Sequence, residues 1–181
     1  FYIVKDLADD TRHLGRETVK SFGVRSRFVH FEFFRLLSDH EGLGKKGDLM
    51  ALEVNMRPSG GFTPDMINFA RETDVYKIWA DMVAYDSTQK PVGTHHFCAF
   101  AGLRDGKDFA MTPDDIIEKY TEQLKMVERM PDALADAMGN QMYLATFDTE
   151  EELNAFFADV TRLKEVDTSE ESEITETIID K

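Results

Sequence analysis

Apolar and polar positions along this chain follow two periods, and the switches between them mark out its elements. Leu7, Thr11, Leu14, Thr18 and Phe22 form one stripe at helical spacing, with Val19 beside it. This predicts an opening helix capped by Asp6 and stopped at Gly23. Gly15 inside it costs about 1 kcal/mol relative to alanine. Arg27 to Leu36 is aromatic and β-branched, as a strand requires. Val29, Phe31 and Phe33 then face one way, and Phe28, His30, Glu32 and Phe34 the other. Asp39 to Asp48, holding Gly42, Gly44 and Gly47, is a turn-rich connection. A second strand starts at Leu49 and runs through Arg57 into the tight polar turn Pro58-Ser59-Gly60-Gly61. Its alternation puts Leu52, Val54 and Met56 on a core-facing side. Glu53, Asn55 and Arg57 fall on the other side, spaced about 7 Å apart at roughly 3.4 Å per residue. Strands joined by a short loop pair antiparallel, and in that pairing Glu32 and Glu53 meet on one face.

After the turn, Thr63-Pro64-Asp65 supplies an N-cap, a first-turn proline and an acid near the positive end of a short helix reaching about Arg71. Asp74 caps another helix, whose apolar face is Val75, Ile78, Trp79, Met82 and Val83. Pro91-Val92-Gly93 marks a boundary. Thr94 to Leu103 is predicted as a strand and Arg104-Asp105-Gly106-Lys107 as a hairpin turn. Thr112-Pro113-Asp114-Asp115 opens a helix bearing Ile116, Ile117, Tyr120, Leu124 and Val127, broken by Pro131. Gln141 to Phe147 is a short strand. Thr149 and Glu152 form a capping box for a helix with Leu153, Phe156, Phe157 and Val160 on its face. The fold class is α+β: an antiparallel sheet with helices over residues 1–90, a small α+β unit over 91–166, and an acidic, disordered tail over 167–181.

Composition narrows the function classes. The 181 residues suit one ordinary domain or two small ones, and 14 Phe with 9 Met provide a core. The Met are scattered and read as gap-fillers rather than a binding groove. No apolar run has the length of a membrane span, and no signal segment opens the chain. The single cysteine, Cys98, excludes an internal disulfide and fits a reducing, cytoplasmic setting. A net charge of −14 argues against nucleic-acid and anionic-membrane partners.

Glu32, Glu53 and Asn55 on neighbouring strands form an oxygen-rich, negative pocket of the kind that holds Mg²⁺ together with nucleotide phosphates. In such a pocket Glu53 would bridge two ions, with Glu32 and Asn55 each holding one. Arg57, always charged, is placed to stabilise a transferring phosphoryl group or an acyl phosphate. The same residues also suit a plain Glu–Arg ion pair with Asn55 at a strand end, and spacing alone is compatible with both. His95, His96 and Cys98 read as a packed strand pair, since at most His96 and Cys98 share a face. His30 reads as an ordinary hydrogen-bonded histidine.

Glu53-Val54-Asn55-Met56-Arg57 resembles the E-x-N-x-R motif that closes the ATP-grasp nucleotide site, and His30-Phe31-Glu32-Phe33-Phe34 resembles the strand supplying the first metal-binding carboxylate. The likeness spans about Val4 to Ala84 and is nearest to the biotin carboxylase and carbamoyl-phosphate synthase branch. It implies the C-terminal lobe of an ATP-grasp carboxylate ligase. Glu32, Glu53 and Asn55 would hold ATP and Mg²⁺ (or Mn²⁺), and Arg57 would be the catalytic cation. The substrates would be a small-molecule carboxylate, activated as an acyl phosphate, and an attacking amine or similar nucleophile. A homodimer is left open. The family's phosphate-binding lysine and glycine-rich flap lie in an earlier lobe with no counterpart here, and no Walker-type motif replaces them. The chain is therefore expected to be a fragment that does not turn over ATP alone. The alternative is a non-catalytic specificity, dimerisation or regulatory module of the same ancestry.

Overall fold

The two aromatic and apolar runs pair antiparallel: β2 (His30–Arg35) with β3 (Leu49–Asn55) form a two-stranded sheet. The computed structural model describes residues 1–88 and 93–165. The expected boundary at residues 90–91 and the tail over 167–181 lie outside them. Among the described residues the fold is mixed α+β. It has six helices, this hairpin and a four-stranded sheet in the order β1-β4-β6-β5, made of β1 (Tyr2–Ile3), β4 (Phe97–Leu103), β5 (Leu124–Arg129) and β6 (Gln141–Phe147). Two compact units divide the chain, one of Phe1–Phe100 with Thr146–Thr149, the other of Ala101–Ala145 with Glu150–Lys181.

In the first unit, α1 (Asp9–Ser21) starts after Ala8, which offers no side-chain cap, so Asp6 is not the cap expected of it. It stops as expected, with Gly23 at φ +61°. The helix buries no residue, and Leu7 and Phe22 stay exposed. Its anchor is polar. The Arg35 guanidinium donates to both Asp10 oxygens at 2.7 and 3.1 Å and to Gly47 O at 2.9 Å, tying helix, strand and connecting loop together. This bidentate contact holds the Asp10 carboxyl down at about 2. The helix α2 (Thr63–Arg71) carries Pro64 in its first turn and ends where expected, but Phe62 rather than Thr63 is the cap. Arg71 ties it to the segment just after β1 through the Lys5 and Val4 carbonyls. Asp74 caps α3 (Val75–Tyr85) by accepting from Lys77 N at 2.9 Å. Of the predicted apolar face on α3 only Val75 is buried, while Trp79 is 40% and Val83 72% exposed.

The second unit departs further from expectation. Arg104 to Lys107 is a turn, with Gly106 at φ +78°, but it leads to the helix α4 (Pro113–Lys119) and not to a paired strand. The Thr112–Asp115 capping box starts α4 as predicted. The helix then stops at Lys119, and the stretch read as its continuation is β5. Thr121 Oγ1 donates to Ile117 O at 2.6 Å beyond the helix end. Leu124 to Arg129 instead pairs antiparallel with β6. A further short helix, α5 (Asp132–Met138), has no counterpart in the sequence reading. The helix α6 (Glu150–Thr161) presents Leu153, Phe156 and Val160 to a core completed by Ile116, Met142, Tyr143 and Leu144, all 0% exposed.

Candidate functional site

Register decides what the hairpin can do. His30 pairs with Asn55, Phe31 with Val54 and Glu32 with Glu53, so Glu32 and Glu53 sit directly opposite each other. Opposite residues in an antiparallel pair project from the same face, with Cβ atoms about 5 Å apart. The next pair is Phe33 with Ala51, which leaves Leu52 as the extra residue of a β-bulge. Leu52 was expected to face the core with Val54 and Met56. The bulge turns it out instead, 56% exposed. Beyond the bulge the alternation of β3 is inverted, so Ala51 joins the side of Phe31 and Phe33, whose rings meet edge to face at 6.4 Å.

The polar face consists of a few groups. His30 Nε2 lies 3.4 Å from Glu32 Oε1, and Asn55 Nδ2 donates to Glu53 Oε1 at 2.6 Å. The other ring nitrogen of His30, Nδ1, is buried without a hydrogen-bond partner. Arg57 is not on the strand face. The strand ends at Asn55, and Arg57 sits in the following bend, exposed, with Nη1 donating to Pro58 O at 2.9 Å. The structure thus brings Glu32, Glu53 and Asn55 together and sets Arg57 at the rim of the turn. Among the described residues no group of three or more His, Cys, Asp and Glu side chains is disposed to hold a metal ion. The oxygen donors available are two carboxylates and one amide.

Sequence reasoning missed what lies at this end of the hairpin. Phe28 and Val29 enter β2 and Pro58 and Ser59 leave β3. Together with Pro64 and Ile67 of α2 and Val75, Tyr76 and Trp79 of α3 they wall a cavity of about 440 Å³. The Phe28 and Trp79 rings are near-parallel, 5.7 Å apart with 25° between planes. The one tryptophan of the chain, set on an amphipathic helix close after the polar turn, was the available signal. His96 lies between two carboxylates, Asp148 Oδ1 at 2.7 Å and Glu72 Oε1 at 3.6 Å, while Cys98 is fully buried. The Glu72 carboxyl is held below its usual range first by the Thr94 N–H and then by His96. In the second unit, a cavity of about 320 Å³ near the Arg129–Asp105 pair has Tyr143 in its wall. The Tyr143 hydroxyl is buried without a partner, and burial pushes its pKa up.

Compared with protein-family models and with curated proteins, the chain gave no match.

Proposed function

We propose that this chain carries the metal-carboxylate side of an ATP-grasp carboxylate ligase. In such a reaction ATP phosphorylates a substrate carboxylate, and an amine or similar nucleophile then displaces the phosphate. The observation that carries this reading is the Glu32–Glu53 register. Like charges directly opposite each other destabilise a strand pair. A divalent cation held by both would turn that repulsion into attraction.

The donor set fits the ion. Mg²⁺ and Mn²⁺ take hard oxygen ligands, and Mg²⁺ is commonly held by one or two carboxylates with nucleotide phosphates completing its shell. Glu32 and Glu53 supply the carboxylates, and Asn55 adds its Oδ1, whose amide nitrogen is already fixed on Glu53. When bound, the ion neutralises charge on the phosphate oxygens. Arg57 uses one donor on Pro58 O, and its remaining N–H groups would stabilise negative charge on the transferred phosphoryl group. In the first step an oxygen of the substrate carboxylate bonds to the γ-phosphorus as the bond to ADP breaks. In the second, the nucleophile bonds to the acyl carbon, phosphate leaves with the bonding electrons, and the nucleophile's proton passes to solvent.

Equilibrium binding of Mn²⁺ with ATP, followed by electron paramagnetic resonance, tests the reading. The wild-type chain is expected to bind Mn²⁺–ATP, and Glu53→Gln to weaken that binding at least tenfold. Equal binding by the two overturns it.

A further inference from the structure

The cavity at the strand ends is continuous in sequence with the carboxylate face on both sides. Val29 precedes His30 on one strand, and Pro58 follows Arg57 after the other. Its wall is apolar and aromatic, and no Lys, Arg, His, Asp or Glu is part of it. Its two side-chain hydroxyls are Ser59 and Tyr76, and the latter already lies 3.2 Å from both Asp65 oxygens. The edge of a nucleobase would therefore find only these two side-chain hydroxyls in the wall. Two charged side chains bond to residues of the wall: Asp65 at the Tyr76 hydroxyl, and Arg57, whose Nη1 donates to the Pro58 carbonyl.

An apolar chamber of about 440 Å³ behind a guanidinium is complementary to an amphiphilic monocarboxylate. At ~30 Å³ for each water-sized group, it has room for about fifteen such groups. We propose that it receives the aromatic or branched apolar body of the carboxylate substrate, with the carboxylate held at Arg57. This rests on the ligase reading above and adds to it the class of acid that is activated.

Trp79 is the one tryptophan in the chain and lines the chamber, so its fluorescence reports occupancy directly. The probe is 3-phenylpropanoate, with propanoate, 3-phenylpropanamide and adenosine as comparators. A saturable blue shift is expected with 3-phenylpropanoate, and at least tenfold weaker binding with propanoate. Arg57→Ala is expected to weaken the acid five- to tenfold and leave the neutral amide within twofold. Ser59→Phe, which fills the chamber from the turn, is expected to abolish the shift, with Ser59→Ala as its folded control. The assignment is overturned if 3-phenylpropanoate gives no saturable shift, if adenosine binds more tightly than the acid, or if Arg57→Ala weakens acid and amide alike. Mn²⁺–ATP binding in the same samples separates the two conclusions. Loss of Mn²⁺–ATP binding with the acid still bound removes the ligase reading and leaves the cavity assignment standing. The reverse result removes the cavity assignment alone.

Discussion

Removing one charge from the Glu32–Glu53 pair should make the metal-free chain more stable. Glu53→Gln keeps the side-chain shape and an oxygen to accept from Asn55 Nδ2, so the change is almost purely electrostatic. Two carboxylates on directly opposed residues, about 5 Å apart, repel by about 0.8 kcal/mol at the dielectric of water. Water is the appropriate medium, since the Glu32 side chain is 42% exposed. At roughly 2–4 °C per kcal/mol for a chain of this length, the melting point should rise by about 2 °C in chelator and low salt. In 1 M salt the Debye length falls to about 3 Å and the gain should vanish. Glu32→Gln should act in the same direction, and the double substitution should add nothing, because the repulsion can be relieved only once. Saturating Mn²⁺ should reverse the order and leave wild type the more stable. Differential scanning calorimetry of the four proteins, with and without chelator, reads all of this. A fall in metal-free stability for Glu53→Gln, or a gain that 1 M salt does not remove, would refute the opposed-carboxylate argument.

Other expectations follow from the remaining geometry. Tyr143→Phe deletes a buried hydroxyl that has no partner and should stabilise the chain by about 1 kcal/mol or more, read as a higher urea midpoint at constant slope. Phe156→Ala removes a fully buried ring packed edge-on against Tyr120 at 5.0 Å and should cost about 3–5 kcal/mol in the same assay. The Asp10 carboxyl is depressed to about 2 by Arg35, so its stabilising contribution is present above the usual aspartate range and lost as pH falls from about 4 through about 2. A carboxyl NMR titration should show that low midpoint, and Arg35→Ala should return it to the ordinary range.

Sequence alone resolved the elements whose signals are local. Asp74 and the Thr112–Asp115 pair cap their helices because a side chain three residues away suffices to satisfy the orphan amides. The strand over Gln141–Phe147 and the helix face Leu153, Phe156 and Val160 stand where their periodicity puts them. The failures are non-local. Ile116, Tyr120, Leu124 and Val127 keep helical spacing across a helix end, and pairing with β6 overrides that spacing from Leu124 onward. The Leu52 bulge is likewise invisible from one strand, because it exists only in the register with the other. The opposition of Glu32 and Glu53 was legible from strand pairing. The displacement of Arg57 from the strand face was not, because it depends on where the ladder stops.

The bulge and the strand ends give the hairpin two ends with different work. Without the bulge, Phe33 would oppose Leu52, and the Glu53 face would continue down the strand through Ala51 and Leu49. With it, Met50 takes that face opposite Phe34, and in either register the polar set ends at Glu32 and Glu53. Bulges are over-represented beside active sites, where they re-aim side chains or terminate pairing. All the candidate chemistry therefore lies in two short stretches, Phe28 to Glu32 and Glu53 to Ser59, at one end of the sheet. The other end is fixed by Arg35 on Asp10 and Gly47. A two-stranded hairpin is marginal by itself, so holding opposed carboxylates in register needs such an anchor. The ion pair between α1 and β2 supplies one at the end of the hairpin away from Glu32 and Glu53.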